Sequence, residues 1–131
     1  MITDPIADAL TRMRNALSSR HRKVNIKHSK FVESIIRVFF RIGYINGLKV
    51  YRQGISKYIT IILKYDSDDI SIIHGLKRVS KPSLRMYCNS NNIPVVYNGM
   101  GTSIISTSQG IKTSCKAKKQ NIGGEVICFI W

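Results

Sequence analysis

The stretch from Gly99 to Trp131 reads GMGTSIISTSQGIKTSCKAKKQNIGGEVICFIW, and it holds the pattern that decides the fold. A strand-like run, Thr102 to Thr107, leads into a cluster of hydroxyl side chains. A lysine-rich segment, Thr113 to Asn121, is predicted to be a helix, and Glu125 to Trp131 a closing strand. Strands that lead into a single short helix and back into a strand are typical of an α+β domain.

Two features of this stretch each have two interpretations. Small hydroxyls at Ser106 to Ser108 can exchange hydrogen bonds with base edges, 2′-hydroxyls and phosphates, and Gly110 lets the backbone approach closely. The same residues also suit an ordinary Ser/Thr turn. The Gly123-Gly124 pair permits a sharp bend before the last strand, and it could equally bring the backbone against RNA. From these residues alone, the alternatives stay open.

The residues upstream complete a second, mostly β domain, predicted to span residues 70–131. Pro82 cannot lie inside a central strand, so Leu76 to Val79 and Leu84 to Tyr87 are predicted to be two strands around a turn. The segment 92–98 is predicted to be a short helical turn. This domain is therefore expected to contain one or two short helices.

Residues 1–66 are predicted to form an N-terminal αβαββ domain. Asp4 is a suitable helix N-cap, Pro5 suits the first helical position, and Ser29 can cap a second helix. Strands are predicted over 23–27, 48–52 and 58–65, and a polar cluster at 66–69 is the predicted division between the domains. The apolar spacing predicts the buried faces Ile6, Leu10, Met13 and Leu17 in the first helix, and Phe31, Ile35, Val38 and Ile42 in the second.

The charge predicts a polyanionic partner. Among 131 residues, Lys and Arg number 21 and Asp and Glu 7, which gives a formal net charge of +14. No carboxylate lies between Asp8 and Glu33, and none lies between Asp69 and Glu125. Each domain therefore carries its own uncompensated basic region, which favours binding to nucleic acid over a merely solvated surface.

Other classes of protein find little support in the sequence. No run approaches the roughly 20 apolar residues that cross a membrane. The three cysteines are widely spaced and lack the Cys/His separations of a metal site. The histidines have no carboxylate partners by spacing, so no catalytic residue, cofactor or small-molecule substrate is predicted. A hydrolase is the distant alternative.

Three segments resemble one family in the same order. ITDPIADALTRMRNA at 2–16 resembles the opening helix of the family of the eighth protein of the small ribosomal subunit, and HGLKRVSKPSLRMY at 74–87 resembles its central signature. The C-terminal stretch is the most specific match. The resemblance implies two small α/β domains and a structural role that binds the central domain of small-subunit rRNA directly, supports assembly, and contacts neighbouring ribosomal proteins. A non-ribosomal RNA-binding regulator is the alternative.

The resemblance also implies which residues contact rRNA. Ser106, Thr107 and Ser108 would meet the irregular core of an RNA helix, with Tyr87 and the turn Gly123-Gly124-Glu125 beside them. Basic side chains would neutralise phosphates, namely Lys81, Arg85, Lys118 and Lys119. The N-terminal domain would contact a second RNA segment through Arg12, Arg14, Asn15 and Lys30. Base-edge contacts would then select the RNA, while phosphate contacts would supply affinity.

The chain departs from the family pattern at a few positions. Gln109 stands where lysine is common, Ser83 where glycine is usual, and Ser114 and Lys116 where acids occur. An acid at position 116 would favour the positive end of the last helix, so lysine there is expected to cost on the order of 1 kcal/mol.

The composition leads to an expectation about location. Isoleucine is abundant and alanine rare, as in chains from A+T-rich genomes, and no leader sequence is evident. We therefore expect an organellar ribosome, in a mitochondrion rather than a plastid, with the bacterial cytoplasm as the alternative.

Overall fold

The computed structural model describes residues 4–96 and 99–131. They form two compact units, the first ending at His74 and the second beginning at Gly75. Among the described residues, the first unit contains two α-helices and a three-stranded sheet, and the second contains a five-stranded sheet and one short α-helix. This architecture confirms the α+β class.

Helix α1 spans Pro5–Ser18, as predicted. The Asp4 carboxylate accepts the Ala7 N–H at 3.3 Å, which satisfies one of the free amides of the first turn. Ile6, Leu10 and Met13 are buried as the spacing predicts, together with Ala9 and Ala16, whereas Leu17 is only half-buried. The side of α1 that carries arginine therefore faces outward.

Helix α2 spans Lys30–Arg41, and the Ser29 hydroxyl caps it by accepting the Val32 N–H at 3.1 Å. The predicted buried stripe is partly wrong, because Phe31 is 38% and Ile42 36% exposed. The residues that α2 buries are Val32, Ile35, Ile36, Val38 and Phe39. Seven of the 12 residues of this helix are apolar and they extend around more than one side, so the spacing alone does not select the buried side.

Three antiparallel strands form the sheet of the first unit: β1 Lys23–Lys27, β2 Ile45–Gln53 and β3 Ser56–Leu63, in the order β1-β3-β2. The predicted edge position of β1 is confirmed. Alternate residues of β3, namely Ile59, Ile61 and Leu63, are almost completely buried. Helix α1 contacts β1 and helix α2 contacts β2. The sheet thus carries its hydrophobic core on one face.

The second unit is built around its last strand. The strands are β4 Leu76–Arg78, β5 Tyr87–Cys88, β6 Thr102–Thr107, β7 Gly110–Thr113 and β8 Gly124–Ile130. Their order is β4-β8-β6-β7, and β5 also pairs with β8. All pairings are antiparallel. Strand β8 therefore joins the segments that carry the predicted binding residues.

Several predictions for this unit need correction. Strand β7 was not predicted, β5 is shorter than the predicted strand from Leu84 to Tyr87, and helix α3 spans only Ser114–Lys119. Thr113 caps α3 by accepting the Lys116 N–H at 3.3 Å, so the lysine at that position does not prevent the cap. Residues 92–96 form no helix, and the rest of the predicted turn at 92–98 lies outside the described residues.

The two ends of the second unit meet through Gly75 and Trp131. Each backbone N–H donates to the other residue's carbonyl, at 3.0 Å and 3.2 Å. Ring atoms of Trp131 occupy the space where a Cβ atom on Gly75 would lie. Only glycine therefore permits this closure without a shift of the ring.

Candidate nucleic-acid interface

The hydroxyl cluster lies where β6 turns into β7. The Thr107 hydroxyl donates to the Gly110 carbonyl at 2.7 Å and accepts the Gln109 N–H at 3.1 Å. Gly110 has a φ of +104°, a conformation that favours glycine. The turn is therefore held by Thr107 itself, and this hydroxyl already has its partners within the protein.

The two serines beside Thr107 differ from it. Ser106 is half-buried and Ser108 is exposed. Across residues 4–96 and 99–131, neither serine hydroxyl has a hydrogen-bond partner. A hydroxyl can donate one hydrogen bond and accept two, so both keep their full capacity for a ligand. The cluster thus combines one structural hydroxyl with two that are available.

Tyr87, Glu125 and Ser106 form a row across three strands. Glu125 on β8 pairs in register with Tyr87 on β5 and with Ser106 on β6. Residues directly opposite each other in antiparallel strands project from the same face of the sheet. Tyr87 is 70% exposed, so its ring stands free for contact. The register brings together residues that lie far apart in the sequence.

Glu125 is held by its own neighbours. Its carboxylate accepts hydrogen bonds from the buried Ser80 hydroxyl and from Arg85 Nη1, the latter at 3.0 Å. Burial raises the pKa of Glu125, but these two hydrogen bonds and the charges of Arg85 and Arg78 outweigh it and lower the pKa below its usual value. Glu125 is therefore ionised near neutral pH and orders the surrounding segments.

Ser80 is a positioning residue that the sequence analysis missed. It is completely buried, and its hydroxyl also accepts the Met86 N–H at 3.1 Å. Its backbone N–H donates to the Val126 carbonyl at 3.0 Å. Ser80 thus fastens both ends of the loop 80–86 to β8 and sets the path into Tyr87. Its position before Lys81-Pro82 resembles any turn serine, so the sequence gives no signal for this role.

The two glycines of the C-terminal turn face protein backbone. A Cβ atom on Gly123 would overlap the Cys88 carbonyl, and one on Gly124 would overlap the Ser106 carbonyl. The pair therefore lets β8 enter between β5 and β6. The packing role agrees with the predicted bend before β8, and the RNA contact of Gly123-Gly124 stays a prediction.

The predicted basic residues of this unit fall into two groups. Lys81 and Arg85 are exposed on the loop that leads to Tyr87. Lys118 and Lys119 are exposed on α3, which buries Ala117 against Ile105 and Val126. Ile105 directly precedes Ser106, and Val126 directly follows Glu125. Neighbouring residues of a strand project from opposite faces of the sheet, so α3 packs on the face opposite to the row. The structure does not bring the two groups onto one face.

The predicted N-terminal residues lie on the first unit's helices. Arg12 donates to Asp8 at 3.1 Å through Nε, and Arg14 donates to the Thr11 hydroxyl at 3.1 Å. Asn15 is exposed on the same outer side of α1, and Lys30 is exposed at the start of α2. Arg12 is thus partly neutralised by its neighbouring carboxylate, an effect that is weak at such an exposed site.

Neither a membrane-spanning helix nor a metal-binding cluster of side chains occurs among the described residues. No helix within 4–96 and 99–131 is long and apolar enough to cross a membrane. Within the same ranges, no group of three or more His, Cys, Asp or Glu residues could hold a metal ion.

Comparisons with known proteins agree along the full chain. A family model described as "Ribosomal protein S8" matches residues 4–131. The chain is 50% identical over 131 residues to the small ribosomal subunit protein uS8 of Mycoplasmopsis pulmonis, covering 100% of this chain and 98% of that protein. It is 46% identical over 131 residues to the protein of the same name from Finegoldia magna, with 100% of both chains covered.

Proposed function

This chain belongs to the ribosomal protein S8 family, and on that premise we propose that its second unit binds the central domain of small-subunit rRNA through the hydroxyl turn and the Tyr87–Glu125–Ser106 row. The chain is a structural constituent of the small ribosomal subunit and not an enzyme. Family membership therefore argues against the two alternative functions, a non-ribosomal RNA-binding regulator and a hydrolase.

The observation that carries the proposal is the cross-strand row. It places the exposed Tyr87 ring and the free Ser106 hydroxyl on one face of the sheet, with Glu125 between them, and Ser108 follows in the adjoining turn. A-form RNA hides its base edges in a deep, narrow major groove, so proteins recognise its shape, 2′-hydroxyls and distorted sites. Ser106 and Ser108 suit 2′-hydroxyls and base edges, and the Tyr87 ring suits an unstacked base.

Thr107 and the glycine pair act on this surface indirectly. Thr107 holds the turn, and Gly123 and Gly124 let β8 approach the strands that carry Tyr87 and Ser106. We place these three residues in the interface as positioning residues. Glu125 positions Arg85 as well, because its carboxylate accepts a hydrogen bond from Arg85 Nη1 at 3.0 Å.

The lysines supply affinity without selecting the sequence. Arg85 contacts Glu125 of the row and Lys81 lies on the same loop, and both would contact the phosphates of the bound helix. Lys118 and Lys119, which lie on α3, would contact a different part of the RNA backbone. Arg12, Arg14, Asn15 and Lys30 would meet a second RNA segment. Each phosphate that is neutralised releases counterions, so binding should weaken steeply as salt rises.

A role in assembly and contacts with neighbouring proteins follow from the same proposal, whereas the location and the domain bounds are separate predictions. A chain that binds rRNA directly can support subunit assembly and contact neighbouring ribosomal proteins. The named relatives come from bacteria, so they give no support to the predicted mitochondrial location. That location stays a prediction, which fractionation of the source cells would test. The domain bounds 1–66 and 70–131 also stay a prediction, and cleavage at 66–70 that leaves two folded fragments would support them.

The test compares two RNAs. The full chain is titrated with a fragment of the rRNA central domain and with a generic duplex of the same length. Ser108→Ala should weaken binding to the fragment by about 1–3 kcal/mol, because an RNA polar group loses its partner. The generic duplex should be affected much less. Ser67→Ala, at an exposed turn of the first unit, is the matched control.

Two results would count against the proposal. Equal loss on both RNAs would reduce the hydroxyl turn to scaffolding. A flat response to salt would remove the electrostatic part, since neutralising about six phosphates predicts a loss of about 10³-fold or more between about 50 and 200 mM salt.

A further inference from the structure

The first unit has a sheet face that its helices do not cover. Ile59, Ile61 and Leu63 of β3 point into the core, so the residues between them project from the other side. The register extends this face across all three strands. We call it the open face, and its members are Lys23, Asn25 and Lys27 of β1, Gly47, Lys49 and Tyr51 of β2, and Tyr58, Thr60 and Ile62 of β3.

The open face is strongly basic. Its three lysines are exposed, and none forms an ion pair within the described parts of the chain. No Asp or Glu occurs in any of the three strands. The unit's acids lie elsewhere, and Asp8, Glu33 and Asp69 are paired with arginines. A positive potential on this face is therefore not offset by its own sheet.

Two tyrosines form the aromatic centre of the open face. Tyr51 and Tyr58 are paired in register, with ring centroids 5.7 Å apart and an interplanar angle of 27°. Both are half-buried, so each ring is still partly accessible. Lys27 is the partner of Tyr58 on the other side. The row thus places a cation next to two stacked rings.

The neighbouring row adds polar groups. Thr60 lies between Asn25 and Lys49 in the register. Its hydroxyl donates to Asn25 Oδ1 at 2.7 Å, which shows that these side chains share one face. This bond leaves the Asn25 amide N–H groups as donors toward a ligand. Charge, aromatic rings and oriented donors therefore occur together over two adjacent rows.

We propose that the open face binds a single-stranded RNA segment, with bases stacked on Tyr51 and Tyr58 and phosphates held by Lys23, Lys27 and Lys49. Sheets that expose aromatic rings beside basic side chains bind unpaired bases in this way. A protein partner would need a cluster of carboxylates to match the lysines, whereas RNA carries a negative phosphate at every nucleotide. The charge of the face therefore favours RNA.

This site is separate from the contacts proposed above. Arg12, Arg14 and Asn15 lie on α1, which packs against the covered face of the sheet. The hydroxyl turn belongs to the second unit. The open face can therefore fail as a binding site while the proposed function stands, and the reverse also holds.

The experiment uses the full chain and a fluorescein-labelled oligoadenylate of about ten nucleotides, within the range that one such surface binds. Tyr51→Leu should weaken binding about tenfold, because stacking on one ring is lost. Tyr51→Phe keeps the ring and should change affinity by less than about twofold. Ser67→Ala, at an exposed turn of the first unit and outside both proposed sites, should leave the affinity for this probe unchanged.

A lysine pair provides the matched control. Lys49 lies on the open face, whereas Lys57 is also exposed, on β3, but projects from the opposite side. Lys49→Ala should lower the slope of log affinity against log salt by about 0.7, the value for one single-strand phosphate contact. Lys57→Ala should change it by less than half as much. This comparison stays valid even if a tyrosine variant folds poorly.

Three outcomes would overturn the proposal. Unchanged affinity in a folded Tyr51→Leu variant would exclude base stacking. Equal slopes for the Lys49 and Lys57 variants would reduce the effect to net charge. Variants that bind the probe normally but fail to enter small subunits would identify the open face as a protein-docking surface instead.

Discussion

Gly124 lies so close to the carbonyl oxygen of Ser106 that a Cβ atom at Gly124 would overlap it. This contact occurs where β8 begins, next to the in-register pair of Ser106 and Glu125. The glycine therefore sets how near β8 comes to the hydroxyl turn. The spacing of the proposed RNA-binding row therefore depends on the lack of a Cβ atom at Gly124.

Gly124→Ala should disturb both stability and RNA binding. The added methyl group meets backbone and not a flexible side chain, so β8 must shift, and we expect a loss of about 1–3 kcal/mol in the free energy of unfolding. Urea unfolding measures this loss, and titration with the rRNA fragment should show weaker binding. Gly47→Ala is the control, because its Cβ would meet Ile62 Cδ1 at an ordinary 3.6 Å. Equal effects of the two substitutions would contradict this account.

Acid should destabilise the second unit by protonating Glu125. Its pKa is lower in the folded chain than the usual value of 4.5, so its ionised form stabilises the fold. That stabilisation is complete above the usual pKa and is lost as pH falls through the folded pKa. Amide hydrogen exchange in β8 should therefore accelerate in acid, and Glu125→Gln should flatten this response.

Glu33 provides the control for the acid experiment. The hydrogen bond with His28, and then that from Arg37, lowers the pKa of Glu33, which lies in the first unit. Glu33→Gln should flatten the acid response of exchange in α2 and leave β8 unchanged. If both substitutions altered β8 equally, the local account of Glu125 would be wrong.

Lys116→Glu should stabilise α3 and weaken RNA binding. The residue lies in the first turn of the helix, where a negative charge is favoured and a positive charge is not, and the gain should be about 0.5–1 kcal/mol. The same change removes positive charge from the surface, so affinity for any RNA should fall. Urea unfolding and RNA titration measure the two effects, and Lys116→Gln should give intermediate values. A gain in both properties would contradict the charge argument.

The cysteines should differ sharply in reactivity. Burial raises the pKa of the Cys128 thiol to about 12, whereas Cys115 is exposed and Cys88 half-buried. Because the thiolate is the reactive form, a maleimide should label Cys115 rapidly and Cys128 only after unfolding. Mass spectrometry of the labelled peptides checks the order. Early labelling of Cys128 in the native chain would show that β8 opens locally.

Local signals explain the parts of the fold that the sequence predicted well. Asp4, Pro5 and Ser29 act on backbone groups within one helical turn, so the starts of α1 and α2 follow from the residues themselves. Strand β6 was also predicted with its observed bounds, Thr102–Thr107. These elements depend little on what packs against them.

Tertiary packing determines the parts of the fold that the sequence predicted wrongly or did not predict. Phe31 and Phe39 are equally apolar, but only contact with the sheet selects Phe39 for the core. Strand β7 has four residues and leads directly into α3, so it lacks a pattern of its own. The roles of Ser80 and Gly124 depend on atoms from distant segments, which no spacing rule contains.

The closure of Gly75 on Trp131 gives the chain an optical reporter. Trp131 is the sole tryptophan, so the chain's indole emission arises at the last residue of the second unit. Detachment of the ring from Gly75 would change that emission, whereas ellipticity in the far ultraviolet is dominated by the longer helices of the first unit. Comparing the two signals along one denaturant series would reveal whether the halves of this protein melt together or in turn.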